Sequence, residues 1–183
     1  MARNVELKVA VPSLEQIRQR AQEIADSGPF VLEQVDFFFS ANSGRLKLRC
    51  EKQPGRETPA KAELIAYQRS DEAESRVSDY ERCEITDPEC LRRALSKSLG
   101  DGPIVRKSRE LYLVKRARIH LDTVESLGTF VEIEVVMQEQ DGEEQGHLEL
   151  HQHLEALGLL NAEMIDVAYA DLLFAKLEPP SQA

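Results

Sequence analysis

The stretch Asn4-Val5-Glu6-Leu7-Lys8 places polar side chains at every second position near the start of a β-rich chain. In an extended strand Asn4, Glu6 and Lys8 share one face, with Val5 and Leu7 on the other. Three later segments repeat that layout with complementary charges: Arg45, Lys47 and Arg49; Arg118, His120 and Asp122; and Glu132 and Glu134. The simplest structure that uses them all is a closed sheet with a charged interior. Small barrels usually fill their interior with apolar side chains, so a wall carrying both signs should hold an anion and a cation together. The inferred ligand is a polyphosphate with a divalent metal.

The rest of the chain supplies strands and covering helices. Pro12-Ser13 announces a helix, with Ser13 as cap, Gln16 completing a capping box and Leu14, Ile17, Ala21 and Ile24 on one face, ended by Gly28-Pro29. Residues 34–50 read as a hairpin turning at Asn42-Ser43-Gly44. After a Pro/Gly-containing loop at 53–61, residues 62–69 form a strand with Glu63, Ile65, Tyr67 and Arg69 on one face, and 76–85 form another. Asp87-Pro88 starts a second helix with a buried stripe of Leu91, Ala94, Leu95 and Leu99, stopped by Gly100. Residues 105–113 place Lys107, Arg109 and Leu111 on one face, and 116–122 and 128–138 form the last strand pair. The apolar set Val131, Ile133 and Val135 demands burial, so closure of the sheet turns Glu132 and Glu134 inwards. From Gly146 the chain reads as helical, with a break at Gly158 and Asn161 capping a helix over 162–176.

A length of 183 residues suits one domain. We expect it to span 1–176, with a disordered tail at 177–183. Without a secretory h-region or a membrane-length apolar run, a cytoplasmic protein with no membrane partner is expected. Cys50, Cys83 and Cys90 lack metal-ligand spacing and read as reduced, half-buried thiols. The net charge of -10 argues against nucleic-acid binding, though not against a phosphate held where a cleft focuses a local positive field. The acidic runs 71–74 and 141–144 read as solvated loops. His147 and His151 have metal-ligand spacing but no third ligand.

Asn4-x-Glu6-x-Lys8, the basic residues alternating along several strands and the late Phe130-Val131-Glu132-Ile133-Glu134 together resemble the CYTH superfamily, the triphosphate tunnel metalloenzymes. The resemblance runs to about Phe174, and Tyr169-Ala170-Asp171-Leu172-Leu173 is similar to the family's closing segment. It implies an α+β fold: an antiparallel, closed or nearly closed barrel of about eight strands with helices packed outside, one of them covering a mouth. A lipocalin-like barrel, lined by apolar side chains, is the rival. The resemblance further implies that Arg45, Lys47, Arg49, Arg69, Lys107, Arg109 and Arg118 hold phosphate oxygens, and that Lys8 positions or activates the nucleophile. Hard cations such as Mg²⁺ or Mn²⁺ take carboxylate oxygens, which Glu6, Asp122, Glu132 and Glu134 can supply. Asn4 stands where many relatives have Glu, which weakens any second metal site. His120 reads as a structural residue.

Three functions follow from this layout. A metal clamp in a basic tunnel supports hydrolysis of an inorganic or organic triphosphate, or cyclisation of ATP to cyclic AMP and pyrophosphate as in class IV adenylyl cyclases. Cyclisation also needs a base pocket, for which Tyr67 alone is too little. Hydrolysis therefore ranks first, and a polyphosphate- or nucleotide-binding module without turnover remains the non-enzymatic alternative. The partner is a small-molecule triphosphate or nucleotide, and the sequence leaves the oligomeric state open.

Overall fold

In the computed structural model, backbone is described for residues 2–69, 76–138 and 140–177, and side chains for 4–68, 80–138 and 140–176. The opening alternation forms strand β1 (Ala2–Val11), which buries Val5, Leu7, Val9 and Val11 on its outer face and turns Glu6 and Lys8 inwards. Helix α1 (Glu15–Ile24) follows, then β2 (Ser27–Phe39), β3 (Arg45–Lys52), β4 (Lys61–Arg69), β5 (Arg76–Glu84) and α2 (Pro88–Leu99). The chain continues through β6 (Asp101–Val114), β7 (Ala117–Val124), β8 (Gly128–Met137), α3 (Glu143–Leu157) and α4 (Tyr169–Leu177). Neighbouring strands are antiparallel in the order β1-β5-β4-β3-β2-β6-β7-β8. Because β1 pairs with both β5 and β8, the sheet closes into the expected eight-stranded barrel.

The apolar core lies outside the barrel wall. Val131, Ile133 and Val135 of β8, Ile119 and Leu121 of β7 and Tyr112 of β6 pack with α1 and α3, through Ile17, Ala21, Leu150, Leu154 and Leu157. Burying one such aliphatic side chain stabilises the fold by about 1.5–3 kcal/mol, so this side of the sheet is held against its helices and its opposite face is left for polar groups. The charged lining is the reverse of a lipocalin-like interior.

Several local expectations are corrected. Ser13 accepts the Glu15 N–H, but the helix is capped at Leu14 without a side-chain bond, and no capping box forms. Helix α1 ends at Ile24 because Asp26 N–H already donates to Leu113 O and the chain enters β2; Gly28 and Pro29 lie within that strand. Asp87 caps α2 through the Cys90 N–H as expected, yet no residue of α2 is fully buried: Leu91 and Leu95 are half-buried, Ala94 and Leu99 exposed. Asp141 is bound by Arg116, and Glu143 and Glu144 open α3, where carboxylates suit the helix N-terminus. The run 71–74 lies outside the described residues, as does most of the expected tail. Cys50 is half-buried, whereas Cys83 and Cys90 are exposed; all three are free.

The expected helix over 162–176 starts only at Tyr169. Strand β5 accompanies β1 only as far as Glu6, which leaves the later backbone of β1 without a partner on that side. Residues 163–165 take that place: Ala10 N–H donates to Glu163 O, Ile165 N–H to Lys8 O, and Val9 pairs with Met164. Tertiary pairing thus overrides the Asn161 cap signal. Among the described residues no helix is long and apolar enough to cross a membrane.

Candidate functional site

Two equivalent ion clusters line the tunnel. On β2 and β3, Asp36 stands opposite Arg49 and accepts its Nε (2.7 Å) and Nη2 (2.7 Å) and the Lys47 Nζ (3.0 Å). On β6 and β7, Asp122 stands opposite Arg109 and accepts its Nε (2.7 Å) and Nη2 (2.6 Å) and the Lys107 Nζ (3.0 Å). Each is a Lys-x-Arg strand beside a strand carrying one Asp, and since β2 pairs with β6 the unit repeats around the wall. Period-2 geometry explains why Lys and Arg two residues apart reach the same carboxylate.

The charges set one another. Burial opposes ionisation of Asp36, but Arg49 and Lys47 overcome it and hold its carboxyl well below the usual range. Asp122 behaves alike: burial is outweighed by Arg109 and Lys107. Burial together with the neighbouring Arg49 pulls Lys47 down to about 7, and burial with Arg109 lowers Lys107. These ammonium groups are held in reserve of a stronger counter-charge than one aspartate provides.

The acids gather on the other side. Glu132 and Glu134 of β8 line the cavity with Glu6 of β1, and the strand register sets Glu6 directly opposite Glu134 and Lys8 opposite Glu132. Like charges facing each other across a ladder are destabilising unless a cation joins them. Burial works against ionised Glu132, but Arg109, whose Nη2 lies 3.2 Å from Oε2, and Lys8 keep it well below the ordinary carboxylate range. His120 of β7 is opposite Glu132 and 4% exposed; burial, reinforced by Arg109, lowers its pKa to about 4, so the ring is neutral at pH 7.

Helix α4 closes one end. The Tyr169 hydroxyl donates to Asp122 Oδ2 (3.0 Å), its ring centroid lies 4.1 Å from Lys8 Nζ, and it packs edge-on against Phe130. Lys8 Nζ also donates to Val167 O (3.0 Å). Burial and the neighbouring Asp122 raise the Tyr169 phenol well above its usual value, so it stays a donor.

Of the expected site residues, Glu6, Lys8, Lys47, Arg49, Lys107, Arg109, Glu132 and Glu134 line one cavity. Arg45 pairs instead with Asp171 of α4 (2.6 Å), and Arg118 with Glu134 (3.4 Å), both partly exposed and outside that lining. Asp122, expected on the metal, has its oxygens against Arg109, Lys107 and Tyr169. The Arg69 contact lies outside the described side chains. The structure adds Asp36, Tyr169, Tyr80 and Arg82: Tyr80 stands opposite Tyr67 in the register, with the Arg82 guanidinium 4.6 Å from its ring centroid.

The model of the CYTH domain matches residues 2–169. This chain belongs to the CYTH domain family. Among solved structures, this CYTH domain is similar to the PH1012 protein of Pyrococcus horikoshii OT3, with TM-score 0.78, 22% identity and coverage of 92% of this chain and 98% of that one. It is also similar to a Vibrio parahaemolyticus protein named as a candidate adenylate cyclase, with TM-score 0.76, 20% identity and coverage of 93% and 97%. The Hippeastrum protein HpAC1, described as having a dominant triphosphatase activity, has TM-score 0.67, 18% identity and coverage of 98% of each chain. No curated protein matches this chain by sequence. At these identities the likeness is one of fold.

The divalent cation implied by the family can be tested against the donors of this CYTH domain. Glu132, Glu134 and His120 each offer a ligand atom, all within 4.8 Å of one another, and Glu6 faces Glu134 across the ladder. Asn4 Oδ1 and His120 Nδ1 are buried without a hydrogen-bond partner among the described residues. Carboxylates facing one another beside unsatisfied polar atoms fit a cation.

Proposed function

We propose that this CYTH domain is a divalent-metal-dependent hydrolase acting on the terminal phosphoryl group of an inorganic or organic triphosphate. The observation that carries the reading is the repeated Lys-x-Arg/Asp cluster facing a group of carboxylates across one tunnel. Lys47, Arg49, Lys107 and Arg109 take phosphate oxygens. Asp36 and Asp122 hold the two guanidinium planes in fixed orientations, and each guanidinium has more N–H donors than its aspartate accepts. The arrangement is set before the ligand arrives, which is where electrostatic stabilisation is most effective.

Glu6, Glu132 and Glu134 hold the Mg²⁺ or Mn²⁺ ion. Such an ion supplies charge neutralisation and Lewis-acid polarisation of a phosphoryl oxygen. Lys8, anchored by Val167 O and the Tyr169 ring, orients the attacking water. Replacing Glu132 with Gln keeps shape and removes a charge. With inorganic triphosphate as substrate, Glu132→Gln is expected to raise the Mn²⁺ concentration needed for half-maximal turnover by at least about tenfold, the scale of a perturbed metal environment. Unchanged turnover at limiting metal would remove Glu132 from the metal site.

A second reading, cyclisation of ATP as in class IV adenylyl cyclases, is favoured by Tyr80, which gives Tyr67 a cross-strand neighbour with Arg82 stacked on it. Aromatic faces beside a guanidinium are suited to a base.

A further inference from the structure

A purely structural role for His120 leaves its Nδ1 unexplained. A structural histidine in a barrel wall satisfies both ring nitrogens, since a buried polar atom without a partner costs about 1–3 kcal/mol. His120 is 4% exposed, yet its Nδ1 is buried and has no hydrogen-bond partner among the described residues. Glu134 Oε1 lies 3.9 Å from it, beyond hydrogen-bond distance. In the tautomer with its lone pair on Nδ1, the neutral imidazole gains nothing from a carboxylate oxygen directly, but both are ligands for a cation. Register adds the third donor, because His120 stands directly opposite Glu132 on β8 and Glu134 is the next inward-facing residue along that strand. Among the described residues, these three form the one group of His, Cys, Asp and Glu that could ligate a metal, with candidate atoms within 4.8 Å of one another. Donors bonded to one first-row ion at about 2.1 Å stand roughly 3–4 Å apart, so small side-chain shifts close the set.

We propose that His120 is an imidazole ligand of the divalent cation, forming with Glu132 and Glu134 a mixed nitrogen and oxygen site that favours a first-row transition ion over Mg²⁺. This rests on the metal reading of the tunnel and goes beyond it by naming a nitrogen donor and a selectivity. Imidazole nitrogen binds first-row transition ions, Mn²⁺ the weakest of them and the later ions more strongly, whereas Mg²⁺ demands oxygen and dehydrates reluctantly. Asp122, the inward-facing residue next to His120 on β7, has its oxygens occupied by Arg109, Lys107 and Tyr169, which leaves the imidazole as that strand's available donor. The neighbouring Arg109 charge opposes any cation, so binding strengthens when a polyphosphate shares the tunnel.

The test is pulsed electron paramagnetic resonance on the purified protein loaded with Mn²⁺, alone and with inorganic triphosphate. The expected spectrum contains a directly coordinated ¹⁴N coupling. It changes to the ¹⁵N pattern when the native protein is selectively labelled with ¹⁵N-histidine, a readout that needs no variant. The coupling disappears in His120→Gln and persists in His151→Ala, which removes the histidine four residues after His147 on α3. In a Mn²⁺/Mg²⁺ competition titration, His120→Gln lowers the preference for Mn²⁺ by at least about tenfold. Bound Mn²⁺ without histidine nitrogen coupling, or coupling that survives in His120→Gln, overturns this inference and leaves the carboxylate metal site standing. Failure to bind Mn²⁺ in the tunnel under either condition overturns both.

Discussion

Replacing Asp36 by Asn isolates one of the two ion clusters while leaving every proposed metal ligand in place. The substitution keeps the side-chain shape, removes the carboxylate charge, and breaks a buried arrangement in which Arg49 donates twice and Lys47 once. Removing one partner of a buried ion pair costs about 3–5 kcal/mol. Lys47, already pulled down to about 7 by burial and Arg49, can shed its proton near neutral pH at little cost. Arg49 then remains the single uncompensated charge, which places the loss near the lower bound, about 3 kcal/mol. For a chain of this length that corresponds to a fall in Tm of roughly 6–12 °C. Differential scanning calorimetry at pH 7.5 without divalent ions measures it. A polyanion replaces the missing charge, so inorganic triphosphate should raise the Tm of Asp36→Asn by more than it raises that of the native protein. A loss of less than about 1 kcal/mol, or a triphosphate shift no larger than the native one, would refute the view that Asp36 balances the phosphate-binding cations.

Two further outcomes follow from the same geometry. Anion binding favours the Lys47 ammonium; its contribution to affinity is therefore complete below pH 7 and declines as pH rises above the free-state value of about 7. At pH 8 native protein should take up close to one more proton per triphosphate bound than Lys47→Arg, measured by calorimetry in buffers of different ionisation enthalpy; equal uptake would contradict the lowered Lys47 pKa. Gly146 of α3 sits where a Cβ would lie 2.6 Å from Met137 Sδ and 2.7 Å from Val5 Cγ2. Gly146→Ala gains about 1 kcal/mol of helix propensity but overpacks the helix–sheet contact by about 1–3 kcal/mol, so thermal unfolding should show a lowered Tm rather than the rise expected of an open helical site.

The barrel was legible because period-2 alternation encodes which face a residue occupies. Glu6 with Lys8, Lys47 with Arg49, Lys107 with Arg109 and Glu132 with Glu134 could be assigned inwards once Val131, Ile133 and Val135 required an outer core. Pairings between strands were not legible. Asp36 sits in the aromatic run Val35-Asp36-Phe37-Phe38-Phe39, and only its register opposite Arg49 shows it to be the counterpart of Asp122. The same signal could have found it: a Lys-x-Arg strand returning from a hairpin whose first strand carries one Asp. Tyr169 enters the tunnel because residues 163–165 pair with β1, a contact between chain ends that the local Asn161 cap signal contradicts. Alternation with Arg118 and Asp122 puts His120 on the face they share, but the missing partner of its Nδ1 is a three-dimensional fact.

The most direct test of the central claim is to incubate the purified protein with inorganic triphosphate, thiamine triphosphate and ATP, each with Mg²⁺ or Mn²⁺, and to identify the products by chromatography. A metal-dependent triphosphatase releases orthophosphate from at least one of these substrates and forms no cyclic nucleotide from ATP. Cyclic AMP with stoichiometric pyrophosphate would contradict hydrolysis in favour of the cyclase, and tight triphosphate binding without any product under either metal would contradict an enzyme altogether.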